Sequence, residues 1–237
     1  MNRGLAEEEW ADRARVHGVL ADPHRIAILH HIALGDRSPK ELADLLDIPM
    51  PLLSHHLKTL EEAGLVLRSV SEHDRRQRFV RLQDAAVPFL DAGWLRGQVG
   101  AGHSRVVFAC THNSARSVLA AALWSRRTHL PTAAGGTTPG TRIHPTTVRT
   151  ARRHRVELLQ TEPVPLDQVL QESDLLVTVC DEANAHVTSH QHRLHWSIPD
   201  PARSGDVADF ESAFNELTER IDRLGLALTQ HTEKEQG

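Results

Sequence analysis

Apolar positions in the first third of the chain recur mostly three and four residues apart. From Trp10 to Ala33 the stripe Val16, Val19, Leu20, Ile26, Ile28, Leu29 and Ile32 has helical spacing and breaks at Asp22–Pro23. Two helices are predicted, with Asp22 capping the second and Pro23 at its first position, where a missing N–H costs nothing. Asp36–Pro39 reads as a turn, after which Ser38 caps a helix carrying Leu42, Leu45 and Leu46. A second turn, Asp47–Pro49, leads to a helix with Leu53, Leu57 and Leu60, stopping at Gly64. Leu65–Val70 and Arg78–Leu82 then form a hairpin around the polar tip Ser71–Gln77. Helix, short turn, helix and hairpin is the order of a winged helix-turn-helix. Ala85–Arg96 follows with Val87, Leu90, Trp94 and Leu95 to bury.

The pattern changes in the second half. Ser104–Ala109 is a short apolar run, Ser117–Arg127 is helical, and Asp174–Val179 is another buried-strand run. Arg193–Trp196 reads as a further short strand. Phe210, Phe214, Leu217, Ile221, Leu224 and Leu228 make one stripe of a long last helix. Strands alternating with helices predict an α/β domain with a parallel sheet. The expected organisation is a winged helix-turn-helix domain over 1–96, mostly α with a β-hairpin wing, a Gly-containing linker over 97–103, and an α/β domain over 104–237.

Composition narrows the chemistry. The net charge of −4, with neither half basic, excludes coating nucleic acid through bulk charge, so DNA binding must rest on local clusters. The first ten residues are acidic and lack an apolar stretch, which predicts no signal peptide. No apolar run approaches a membrane span, so no membrane partner is expected. Two cysteines, Cys110 and Cys180, cannot build a disulfide scaffold, and a reducing cytoplasm is the expected compartment.

Cys110–Thr111–His112–Asn113–Ser114–Ala115–Arg116–Ser117 lies between a predicted strand and a predicted helix. Such a loop can turn successive backbone N–H groups inward, and the helix N-terminus adds its positive end. Thr111 to Arg116 would thus cup a tetrahedral oxyanion, with the Arg116 fork gripping two of its oxygens. Cys110 at the base would be the nucleophile, its thiolate favoured by the same dipoles. Ser117 can donate to the sulfur, and Asn113 can hold the loop's shape. Asp200, between Pro199 and Pro201, is the expected general acid for the leaving group.

These residues resemble the low-molecular-weight tyrosine phosphatase superfamily over about Ser104 to Leu228. The loop Cys110–Ser117, the Gly136–Gly140 and Ile143–Pro145 segments, and Asp200–Pro201 carry the resemblance. Within it, the loop's Thr111–Ala115, Val177–Asp181 and His195–Pro201 look like the arsenate reductase branch. The chain has no Tyr, so the aromatic walls that grip a phenyl ring are missing, and a small inorganic oxyanion fits better. The resemblance implies attack of Cys110 on arsenate, a thiol–arsenate adduct, and release of arsenite when a second thiol attacks the Cys110 sulfur. That thiol is either Cys180 or a small cellular thiol, and Cys180 is about as readily a packed core residue. No bound cofactor is expected, only an external reductant: thioredoxin, glutathione with glutaredoxin, or mycothiol. The alternatives are a phosphotyrosine or phosphoester phosphatase and a transcription factor whose C-terminal half only senses an oxyanion.

Leu20–Leu29, Lys40–Ala43 and Leu53–Val66 resemble the ArsR/SmtB repressor family over about Trp10 to Trp94, most specifically at Ser54–Lys58. This implies a homodimer formed through the N-terminal domain on double-stranded DNA, with the third of these helices in the major groove. Expected DNA contacts are Ser54, His55, His56 and Lys58 on that helix and Arg75, Arg76 and Arg78 at the wing, the latter on phosphates. Two features depart from the family. The helix starts with the apolar Met50–Pro51–Leu52, which weakens base readout and leaves open a domain kept only for dimerisation. The helix over Glu41–Leu46 lacks the cysteine pair of arsenite-sensing relatives. His30, His31, His55 and His56 are in adjacent pairs better suited to surface or DNA contacts, and no structural metal is expected.

Overall fold

The computed structural model describes residues 3–91, 93–95, 99 and 103–229. The chain divides into two compact units, residues 1–70 with 76–91, and residues 71–75 with 92–237. The linker expected over 97–103 lies largely outside the described residues.

The first unit holds α1 (Arg3–Leu20), α2 (Pro23–His31), α3 (Pro39–Leu46) and α4 (Met50–Glu62), then β1 (Val66–Val70) antiparallel to β2 (Arg78–Leu82). Local chemistry sets the helix starts. The Asp22 carboxylate accepts from the His24 and Arg25 amides, and Ser38 and Glu41 form a reciprocal capping box. Asp47 ends α3 in the left-handed region at φ 50°. Ile28, Leu29, Leu42, Leu53, Leu57, Leu60, Leu65 and Val80 make the core, and Val16, Val19 and Leu20 of α1 pack on it. Ala85–Arg96 does not behave as one buried segment. A 3-10 helix covers Asp84–Phe89, Ala86 is the residue buried there, and Val87 faces solvent. Pro88 inside that stretch lacks the amide a longer helix needs.

The second unit contains β3 (Val106–Cys110), α5 (Arg116–Arg127), β4 (Thr132–Gly136), α6 (Pro145–Arg153), α7 (Leu166–Val169), β5 (Leu175–Thr178), α8 (Asp181–His186), β6 (Arg193–His195) and α9 (Val207–Thr229). The four strands are parallel in the order β4-β3-β5-β6. Every residue of β3 and β5 is buried, as expected of strands covered on both faces. Val107, Ala109 and Leu176 pack with Leu166 of α7. Phe108 meets the rings of Trp124 and Trp196, and α9 packs on α5 and α6. The α9 stripe is buried from Phe210 to Leu224, while Leu228 is half-buried.

Strand β4 was not legible in the sequence. Thr132–Ala133–Ala134–Gly135–Gly136 has low strand propensity, and its small size is what the site needs. The chain leaves β3 for β4 on one side and returns to β5 on the other. The switch point therefore lies between β3 and β5, where the carboxyl ends of an open α/β sheet form a crevice. Among the described residues no helix is long and apolar enough to cross a membrane.

Candidate active site

Cys110 is the last residue of β3, and Cys180 follows the end of β5 across the switch point. The ladder runs on between them, with the Val179 amide donating to the Ala109 carbonyl at 2.7 Å. Topology thus brings together two thiols that lie 70 positions apart.

The loop 111–115 is held from outside by its carbonyls. Those of Cys110, Thr111 and His112 accept from the amides of Thr137, Thr138 and Gly140 at 3.1, 2.9 and 2.9 Å. The Ser114 carbonyl accepts from the His144 amide and the Thr147 hydroxyl. Because each peptide is planar and trans, a carbonyl turned outward points the next N–H the other way, into the loop. One of these, the Asn113 amide, already reaches the Cys110 sulfur at 3.2 Å. Gly136 makes the close approach possible: a Cβ there would sit 2.8 Å from the Thr111 carbonyl oxygen and 3.0 Å from the Asn113 Cβ.

Asn113, fully buried with φ 49°, is the keystone of the loop. Its Oδ1 accepts from Gln160 Nε2 and the Val164 amide, which fixes Nδ2 as a donor to Ser117 Oγ at 2.9 Å. Ser117 Oγ lies 3.0 Å from Cys110 Sγ, so its hydroxyl proton is free to point at the sulfur. A thiolate there gains two donors.

Arg116 opens α5 and is buried. Its Nη1 donates to the Ile198 carbonyl at 2.9 Å, its Nη2 is 3.2 Å from Asp200 Oδ1, and its buried Nε has no partner among the described residues. An oxyanion in the loop would satisfy that group. Burial opposes the charge on Arg116, yet the neighbouring Cys180, Cys110 and Asp200 outweigh it and push its pKa up. The guanidinium stays charged. Asp200 is partly exposed and also accepts from the Ala202 amide.

Cys180 is buried, and its sulfur accepts from the Ala183 amide at 3.4 Å, capping α8. Thr111 Oγ1 lies 3.5 Å from it and donates to Glu182 at 3.1 Å. Burial, then the proximity of Cys110, push the Cys180 thiol up, with Arg116 pulling the other way. It rests as a thiol. His112 and Ser114 are on the loop's outer part, and Ala115 directly precedes α5.

Sequence reasoning missed the support beneath the loop ends. His195 bridges Thr178 Oγ1 and Asp181 Oδ1, both at 3.0 Å, tying the end of β5 to β6. Burial raises Asp181, but hydrogen bonds from His195 and Ser197 outweigh it, and its carboxyl is held below the usual range. Gln160 was missed as well, since nothing in its local sequence marks it.

Residues 105–235 match the model for low molecular weight phosphotyrosine protein phosphatase. The chain belongs to the low molecular weight phosphotyrosine protein phosphatase family. It is 30% identical over 126 residues to an arsenate reductase of Brevibacillus brevis, covering 50% of this chain and 92% of that protein. The crystal structure of an arsenate reductase from Archaeoglobus fulgidus superposes with a TM-score of 0.46 at 28% identity, covering 50% of this chain and 97% of that one. Residues 20–69 match a helix-turn-helix domain. The HTH-type transcriptional repressor SmtB of Mycobacterium tuberculosis is 43% identical over 65 residues, 27% of this chain and 46% of that protein. A phosphatase-family site is thus preceded by a helix-turn-helix domain in one chain.

In the first unit Ser54, His55 and Lys58 are exposed on α4, and Arg76 and Arg78 are exposed just before and at the start of the second wing strand; Arg75, also exposed, falls in the second unit. His56 is not with them. It is buried, turned toward Asp22 and His24, and cannot reach a base or phosphate from there. On a helix, positions 55 and 56 point about 100° apart, so an adjacent pair divides between surface and core. Met50 and Leu52, at the start of α4, are largely exposed.

Proposed function

We propose that the C-terminal unit reduces arsenate to arsenite, with Cys110 as nucleophile, and that the N-terminal unit binds double-stranded DNA as a homodimer. The observation that carries the reductase reading is a pair of thiols around one arginine. A phosphatase of this family needs one cysteine, whereas a reductase needs a second thiol to deliver two electrons. The likeness to arsenate reductases over nearly their whole length supports the same reading.

The Cys110 thiolate attacks arsenic(V) held by the loop amides and Arg116. Asp200 protonates the departing oxygen, water leaves, and an S–As bond forms. The Cys180 thiol then loses its proton and attacks the Cys110 sulfur. An S–S bond forms, the S–As bond breaks, and its electron pair stays on arsenic, which leaves as arsenite. Bonding Cys110 to arsenic removes one of the influences that keep Cys180 protonated. An external dithiol or low-molecular-weight thiol then reduces the disulfide, chemistry suited to the cytoplasm.

A second reading rests on the capping role of Cys180. Its sulfur accepts the Ala183 amide, a structural task, and in this version a small cellular thiol attacks Cys110 instead. Arsenite production from arsenate by the purified protein, with thioredoxin, glutaredoxin plus glutathione, and the mycothiol system in turn, tests both. Loss in Cys110→Ser establishes the nucleophile. Turnover that survives Cys180→Ser with a low-molecular-weight thiol selects the second version. Hydrolysis of a chromogenic phosphoester without any arsenite production would assign the site to a phosphatase.

A further inference from the structure

The N-terminal unit contains a cluster that neither its fold nor the reductase site explains. His56, on α4, is 4% exposed, and both its ring nitrogens are buried without a hydrogen-bond partner among the described residues. Buried polar groups almost always have a partner, so an imidazole orphaned at both nitrogens needs a reason. Its Nδ1 lies 3.8 Å from Asp22 Oδ1, too long for a hydrogen bond. His24 Nδ1 lies 3.8 Å from the same oxygen, and the two imidazoles stack with centroids 5.2 Å apart. One ligand atom from each of Asp22, His24 and His56 lies within 4.8 Å of the other two.

We propose that Asp22, His24 and His56 form a binding site for a divalent transition-metal ion of the zinc class, joining the start of α2 to α4. Two imidazoles and one carboxylate suit zinc, cobalt or nickel, and an all-oxygen ion such as magnesium or calcium does not fit this donor set. A tetrahedral ion with bonds of about 2.0–2.1 Å sets its ligands roughly 3.3 Å apart. The two separations of 3.8 Å need to close by about half an ångström, and the third, within 4.8 Å, by at most about 1.5 Å, which side-chain rotations can supply. Three protein ligands leave the fourth position for water or an external ligand. The His24 side chain is 41% exposed and provides the route in from solvent.

The carboxylate is already oriented. Asp22 Oδ1, the oxygen 3.8 Å from both imidazoles, also accepts from the His24 and Arg25 amides at 2.9 and 3.1 Å, which fixes the carboxylate beside them. Such outer hydrogen bonds steady a ligand. The nearby cation, Arg25, is tied back to the Val19 carbonyl through Nε. Bound metal would clamp α2 to the helix whose outer face carries Ser54, His55 and Lys58. Metal occupancy and the posture of that face would then be linked.

Cobalt(II) titration of the full-length protein tests the site. One ion per chain is expected, with weak visible bands and without the intense near-ultraviolet band that a thiolate ligand produces. The affinity should fall at least about tenfold in His24→Gln and His56→Gln and stay unchanged in His55→Gln. His24 is partly exposed, so its variant keeps the fold even if His56→Gln does not. Zinc at saturation should raise the Tm of the wild type and not that of His24→Gln. Equal affinity in wild type and His24→Gln, or a thiolate band placing the ion on Cys110 or Cys180, would overturn the proposal.

Discussion

At the scale of single residues, the site depends on donors that converge on one sulfur. Ser117 is held by Asn113 so that its hydroxyl can face Cys110, and a hydrogen bond to a charged group contributes about 1.5–3 kcal/mol. Ser117→Ala should therefore lower kcat/KM at least about tenfold with KM little changed, read in the arsenite assay. An unchanged rate would mean the hydroxyl does not face the thiolate. Asp181 makes a prediction in pH. Its carboxyl is held below the usual range, so its contribution to stability is present above the ordinary carboxylate value, about pH 4, and is lost as pH falls through the lower folded value. In Asp181→Asn, the loss of stability relative to wild type should be constant from pH 7 to about 5 and shrink below about 4. Urea unfolding at those pH values checks this. A gap that widens in acid would contradict it. Cys110 and Arg116 could be proposed from their spacing between a predicted strand and a predicted helix, and Asp200 only once that loop stood beside it. Asn113's partners Gln160 and Val164, and the His195–Asp181 pair, could not, because each joins positions from 14 to 51 residues apart.

At the scale of elements, caps and close approaches decide what forms and what it holds. Ser38→Ala removes one half of a capping box, and about 1 kcal/mol of stability should go with it, measured by denaturant unfolding. Gly136→Ala acts differently. Its Cβ would meet the Thr111 carbonyl at 2.8 Å, the backbone that shapes the loop. The expected result is an intact far-UV spectrum with arsenate turnover down at least about tenfold, and normal turnover would show that the loop can give way. These two positions mark where legibility changes. Helix α3 announces itself through Ser38, Glu41 and an apolar stripe, all within eight residues. Strand β4 has no such signal: two glycines and two alanines in five residues suit a strand only because Asn113 and Leu166 press against it.

At the scale of the whole molecule, two folding units carry two chemistries, each with its own core. The chain is net negative, so the proposed DNA binding would draw on local arginines. Arg78→Ala should weaken DNA binding about equally across sequences and reduce the slope of log affinity against log salt by about 1. A change confined to one base position would instead make Arg78 a base contact. Lys58 is already 3.8 Å from Glu62, so part of its charge is spoken for on the surface of α4. The exposed Met50 and Leu52 offer apolar contact rather than hydrogen bonds at the start of that helix.

The sequence by itself determined what depends on neighbours along the chain. The periodicity of α2 to α4 and α9, the caps at Asp22 and Ser38, the hairpin, and the strand–loop–helix context of Cys110 are all local, and local propensity and packing agree there. Tertiary structure decided what depends on positions far apart. It set Cys180 beside Cys110 through the switch between β3 and β5, turned the loop amides inward by pinning their carbonyls to residues 137–147, and buried His56 toward Asp22 and His24. The physical reason is the same in each case. Each arrangement joins residues distant along the chain, and only the assembled fold determines which of them lie near one another.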